Sequence, residues 1–246
     1  SKVKEQGQDD LFAFDSEEDS NFAGCELVNV PEWNTHQRLL GEKETLGFYL
    51  SGHPLERYAA ELSHITKQSI SALVPMRDKT LMIAGLVVQV RKLQTKNGDP
   101  MAILTLEDSS GRVDVTVFSD LYVSSKNLLE KDQILVVQGE ASVDNFSGGI
   151  RFTARRLWSI EQARMTFSKA IKLTLEKHMI SSEFLDKLQG LFQPFKQGKC
   201  PIVIEYRCED ATAQLNLSQQ WLINPADQLL DHLHTLLGQQ QVSVIY

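Results

Sequence analysis

Across residues 79–160 the chain carries five apolar, β-branched segments, with one helix-like segment between the third and the fourth. That order constrains the fold more than any other feature. "KTLMIAGLVVQVRKLQ" reads as a strand that turns polar at its end, and "KNGDP" supplies an Asn-Gly hairpin turn. "MAILTLED" is the second strand, with Met101, Ile103 and Thr105 sharing one face. "SSGR" turns the chain, and "VDVTVF" alternates so that Val113, Val115 and Val117 point inward. "SDLYVSSKNLL" has helical character; "DQILVVQGEASVD" and "IRFTARRLWSI", joined by the turn "NFSGG", complete the set. Three strands, a helix and two strands is the layout of the OB-fold, a five-stranded Greek-key barrel. Other small barrels can be written from the same strands; the helix position favours this one.

The flanks read differently. After residue 168, "KAIKLTLE" is a strand and "SSEFLDKLQGLFQ" a helix capped by Ser181 or Ser182. "PIVIEYRC" and "ATAQLNLSQQWLI" are strands. "NPADQLLDHLHTLLG" is a helix with Asn224 as N-cap, Pro225 at the first position and Gly238 past its end; "QVSVIY" closes as a strand. This β-α-β-β-α-β order is the split βαβ arrangement. From Pro31, Trp33, Leu39, Leu40, Leu46, Tyr49 and Leu50 fall near helical spacing; "SGHP" breaks the run, and "PLERYAAEL" restarts it with Pro54 in a first turn. Residues 1–30 show no period and read as disordered or as a linker. The expected architecture is multidomain α+β: a flexible acidic segment (1–30), a helical linker module (31–76), an OB-fold β-barrel (77–160) and a small βαββαβ domain (161–246).

Charge and chemistry narrow the function. The net charge of −7 sits in the first third: residues 1–76 hold 6 Lys/Arg against 13 Asp/Glu, residues 77–160 hold 11 against 10, and residues 161–246 hold 8 against 9. The middle can therefore meet a polyanion if its cations cluster. Cys25, Cys200 and Cys208 are too scattered for a zinc site or a disulfide framework. The apolar runs are too short to span a bilayer, no signal peptide is visible, and the first residue is Ser1, as in a piece of something longer. His232 and His234, two apart on one helix, face different ways. Glu107, Asp108 and Asp114 read as solvated acids about a hairpin turn or, alternatively, as a carboxylate metal site. No catalytic motif occurs, and no catalytic residue, metal or cofactor is expected.

Two constellations remain. An OB barrel holds single strands with cations along a groove and aromatics that stack on bases. The candidates are Arg91, Lys92 and Lys96 in the first loop, Arg112 and Phe118 at the ends of the third strand, and Arg151, Phe152 and Arg155 on the fifth. The competing reading is a solvated barrel face with Phe152, and Phe118 as well, in the core. In the acidic segment "EQGQDDLFAFDSEED", Leu11 and Phe12 are apolar anchors beside the Gln8 amide, suited to an apolar pocket on a partner. A chance match is the alternative.

These residues carry a family resemblance. "GEKETLGFYLSGHPLERY", "LLEKDQILVVQGE" and "DNFSGG" resemble the C-terminal region of the bacterial DNA polymerase III alpha subunit, and the likeness runs from about Gln8 to the end. It implies that Gln8, Asp9, Asp10, Leu11 and Phe12 form a sliding-clamp-binding pentapeptide. It also implies that the barrel contacts single-stranded template and that the last domain binds the tau subunit of the clamp loader. A cytoplasmic replisome follows, with no membrane. "QVSVIY" is similar to a second, weaker clamp-binding hexapeptide in that family, and is also the expected last strand. "RKLQTKNGDP" is interrupted by Asp99. The polymerase palm lies outside this chain, so the fragment itself is expected to be non-catalytic and its parent a DNA polymerase. The alternatives are an oligonucleotide-binding module of another nucleic-acid enzyme and a purely protein-interaction domain.

Overall fold

The computed structural model describes residues 32–33, 35–76, 79–144 and 148–246; the acidic segment with Gln8–Phe12 lies outside them. Helix α1 spans Thr35–Leu46 and stops ahead of the Ser-Gly-His-Pro break. His53 Nδ1 accepts the Leu55 amide (3.2 Å) and starts a 3-10 turn, Pro54–Tyr58, with Pro54 in its first turn as expected. That turn runs into α2 (Ala59–Ile65), which buries Leu62 and Ile65.

The barrel follows. Strands β1 (Leu81–Gln94), β2 (Pro100–Glu107) and β3 (Arg112–Val117) form a meander; α3 (Ser119–Ser124) then leads to β4 (Ile134–Val143) and β5 (Ile150–Ser159). The strands close in the order β1-β2-β3-β5-β4, with β4 returning to β1 and β3 parallel to β5. At the β1–β2 turn Gly98 has a φ of 87°, the left-handed conformation the Asn-Gly signal called for. Val113, Val115 and Val117 face inward as expected. They pair with Leu106, Leu104 and Ala102, so the face shared by Met101, Ile103 and Thr105 is the outer one. Ile83, Val87, Leu135, Val137 and Phe152 complete the interior, and Ile70 and Leu73 pack into it from the segment ahead of β1. Register irregularities at Val87/Gln89 and Gln138/Gly139 curve the sheet. Each large apolar side chain buried here contributes roughly 1.5–3 kcal/mol, against about 0–1 kcal/mol for an exposed ion pair. Stability therefore resides inside, and the outer charges contribute little to it.

The next helix has no counterpart in the sequence reading. α4 (Ile160–Phe167) begins with a capping box: Ser159 Oγ accepts the Gln162 amide, and the Gln162 side chain accepts the Ser159 amide. The last part of the chain runs through β6 (Ala170–Glu176), α5 (Ser182–Phe192), β7 (Lys196–Cys200), β8 (Ile202–Arg207), β9 (Thr212–Asn216), α6 (Asp227–Leu237) and β10 (Val242–Ile245), and contains a second sheet. Its order is β10-β6-β8-β9, with β6 parallel to β8. Ser181 caps α5, as one of the two expected serines. Among the described residues β7 joins no ladder and makes isolated bridges to Ile223; its sequence, Lys-Gln-Gly-Lys-Cys, lacks the apolar, β-branched residues that signal a strand. α6 begins at Asp227, not after an Asn224–Pro225 cap. The Asp227 amide donates instead to Glu161 Oε1 (3.2 Å), so a tertiary partner satisfies the helix end.

A buried polar junction joins the three parts. Arg164 on α4 is 1% exposed. It forks onto Glu61 of α2 (Nε–Oε1 2.7 Å, Nη2–Oε2 2.8 Å) and donates to the Pro225 carbonyl (2.7 Å) and Asp227 Oδ1 (2.8 Å). Tyr246 donates to Glu61 and stacks on His64, and Tyr58 donates to Asp227 Oδ2 (2.6 Å); at the exposed edge of the junction Arg57 pairs with Asp231 (2.7 Å). Burial first, then these hydrogen bonds to carboxylates, push both tyrosine hydroxyls well above the usual phenol range.

Candidate nucleic-acid interface

The outer face of β1, β2, β3 and β5 gathers Arg91, Arg112 and Arg151 of the expected contact residues. Period-two alternation sends Arg91 on β1, Met101, Ile103 and Thr105 on β2, Asp114 on β3, and Arg151 and Thr153 on β5 to the same side. Lys92 lies opposite Ala102, which lies opposite Val117, so the β1–β2 hairpin bearing Lys92 and Lys96 stands at the end of β3 where Phe118 emerges. Phe118 is 51% exposed and available to stack. Arg112 marks the other end of β3, about 17 Å away at strand rise. Arg155, at the irregularity of the β4–β5 pairing, is also exposed.

One candidate fails. Phe152 is 0% exposed, packed among the barrel's aliphatics, and cannot reach a base. It alternates with Arg151 and Thr153, so a face that turns those residues outward turns Phe152 inward.

What sequence reasoning missed is how fully the arginines are engaged. Arg91 Nη2 meets Asp114 Oδ2 at 2.6 Å, Arg112 pairs with Glu107, Arg151 Nη2 meets Asp144 Oδ1 at 2.8 Å, and Arg155 Nε meets Glu140 Oε1 at 3.2 Å. Among the described residues Lys92, Lys96 and Arg156 have no carboxylate within ion-pair distance. The turn acids are likewise committed: Asp108 accepts the amides of Ile70 (2.8 Å), Ser110 (2.7 Å) and Gly111 (3.0 Å) and the Ser110 hydroxyl (2.6 Å). Burial presses its carboxyl upward, but the hydrogen bonds outweigh burial and hold it below the usual carboxylate range. Glu107, Asp108 and Asp114 thus serve the hairpin and the arginines. No set of three His, Cys, Asp or Glu gathers for a metal among the described residues, and no described helix is long and apolar enough to cross a membrane.

Known proteins resemble the chain in both domains. A family model described as "OB-fold nucleic acid binding domain" matches residues 81–160, and one described as "DNA polymerase III subunit alpha, C-terminal domain" matches residues 187–238. DNA polymerase III subunit alpha of Vibrio cholerae is 38% identical over 88% of this chain and 19% of its own length. The subunit of Haemophilus influenzae is 37% identical over 99% of this chain and 21% of its own, and that of Escherichia coli K12 36% over the same shares. The chain therefore spans about a fifth of the curated relatives it matches.

Proposed function

Because the chain belongs to the DNA polymerase III alpha family, as its C-terminal region, we propose that it is a non-catalytic tether within a replicative DNA polymerase. In this reading the barrel holds single-stranded template, the peptide Gln8–Phe12 binds the sliding clamp, and the βαββαβ domain docks the clamp-loader tau subunit. The observation that carries it is the closed barrel, with Arg91, Arg112, Arg151 and Arg155 on its outer face and Lys92, Lys96 and Phe118 exposed at the hairpin end. The clamp and tau assignments rest on the sequence resemblance. "QVSVIY" is occupied as β10, paired with β6 through Val242–Ile245, so a structural role for it is favoured over clamp binding.

The barrel is tested by Arg91→Ala/Lys92→Ala/Lys96→Ala. Fluorescence polarisation on a labelled single-stranded oligonucleotide should show weaker binding and a flatter salt slope, by about 0.7 for each phosphate no longer neutralised. An unchanged slope removes this hairpin from the interface. For the clamp peptide, Leu11→Ala/Phe12→Ala should reduce affinity for the sliding clamp at least about 100-fold, because two anchor side chains carry most of the energy of so short a segment. Clamp affinity retained in that variant removes the peptide assignment and leaves the barrel untouched.

A further inference from the structure

We propose that Asp114 is a charge brake on the single-strand face: it holds Arg91 away from the phosphate backbone and keeps binding weak. The inference rests on the reading of the barrel face as a single-strand surface.

The geometry is a row of alternating charge running across the strands. Arg91 reaches over β2 to Asp114 Oδ2 (2.6 Å); Asp114 lies directly opposite Arg151 in the β3–β5 register; Arg151 is held by Asp144 (2.8 Å). Asp114 is thus flanked by one arginine it binds and another beside it. Thr105 Oγ1 donates to its second oxygen at 2.7 Å, so the carboxylate is pinned and does not swing aside as a strand approaches. A phosphate that takes Arg91 must displace a fixed negative charge and then lie beside it. Lys92 and Lys96, without such partners among the described residues, attract the strand at a distance; Arg91 engages only after exchange. The pair is about half exposed, 46% on Arg91 and 45% on Asp114, so the exchange occurs in contact with solvent and is reversible. A surface that a template must slide across is served by contacts of this kind.

Asp114→Asn removes the charge while leaving an amide oxygen to accept from Thr105. With this 246-residue chain and a labelled oligothymidylate, the variant should bind roughly 3- to 10-fold tighter at about 50 mM salt, and its log-log salt slope should steepen by about 0.7, the increment for one further neutralised phosphate. The tighter binding should disappear in Arg91→Ala/Asp114→Asn. Glu183→Gln, which removes the same unit of charge from an exposed pair with Lys187 on α5, should leave affinity unchanged. An unchanged thermal midpoint in Asp114→Asn confirms that the fold is intact. Equal or weaker binding by Asp114→Asn overturns the brake, as does an increase that survives loss of Arg91 or is reproduced by Glu183→Gln. If Arg91→Ala/Lys92→Ala/Lys96→Ala weakens binding while Asp114→Asn does not strengthen it, the barrel face stands and the brake falls. If that triple variant binds like the parent, the hairpin with Arg91 leaves the single-strand interface, and the brake falls with it.

Discussion

Arg164→Ala is expected to lower the unfolding free energy by about 3–5 kcal/mol, the range for removing one partner of a buried ion pair. The guanidinium uses both edges: a fork onto Glu61, and separate bonds to the Pro225 carbonyl and Asp227. Truncation leaves two carboxylates and a carbonyl facing a cavity, with Tyr246 and Tyr58 as the remaining side-chain donors there among the described residues. Arg164→Lys should fall between, since an ammonium keeps the charge but not the planar fork. Chemical denaturation with tryptophan fluorescence checks the order Arg, Lys, Ala; a loss below about 1 kcal/mol for Ala would place the junction with solvated surface pairs instead. The tyrosines add a pH signature. Their folded-state values lie above the unfolded one of about 10, so their contribution is whole below that pH and declines as pH rises toward the folded values. The parent should lose stability on the alkaline side, and Tyr58→Phe/Tyr246→Phe should lose less of it.

That junction also shows where reading the chain by itself stops. Arg164 lies 103 residues from Glu61 and 63 from Asp227. Nothing local marks it as buried, because its exposure is decided by how a bridging helix meets two other parts of the chain. The same holds for the barrel's charge row: Arg91 and Asp114 are 23 residues apart and meet only because β2 lies between them. By contrast, features set by local period were legible. Val113, Val115 and Val117 alternate inward as expected, and the Asn-Gly turn falls at Gly98. Two misses were legible in principle. Ser159-Ile160-Glu161-Gln162 is a capping-box spacing that announces α4, and the alternation of Phe152 with Arg151 and Thr153 fixes its inward phase. Phe118 differs because it falls one residue past β3, where alternation no longer constrains it.

Gly139→Ala is expected to open the seam between β4 and β5, at a cost of about 3 kcal/mol or more, the upper end for overpacking. A Cβ there would stand 2.0 Å from the Thr153 carbonyl oxygen, 2.9 Å from its carbonyl carbon and 2.6 Å from Phe152 Cε1. Backbone cannot rotate away as a side-chain tip would, so β5 itself must move. The site lies at the pairing irregularity beside Gln138, where β4 bends against β5. Gly98→Ala provides the comparison. Its φ of 87° strains an L-residue by about 1–2 kcal/mol, but among the described residues no atom beyond its chain neighbours lies within 4 Å of the added carbon. The two alanines thus separate conformational strain from collision, and the collision should dominate in thermal unfolding. Displacing β5 also moves Arg151, Thr153 and Arg155, so single-strand affinity should fall with stability in Gly139→Ala and hold in Gly98→Ala. A Gly139→Ala chain that melts with the parent and binds as the parent does would mean that β4 and β5 slide freely past each other, and that the outer arginines are not positioned by this seam.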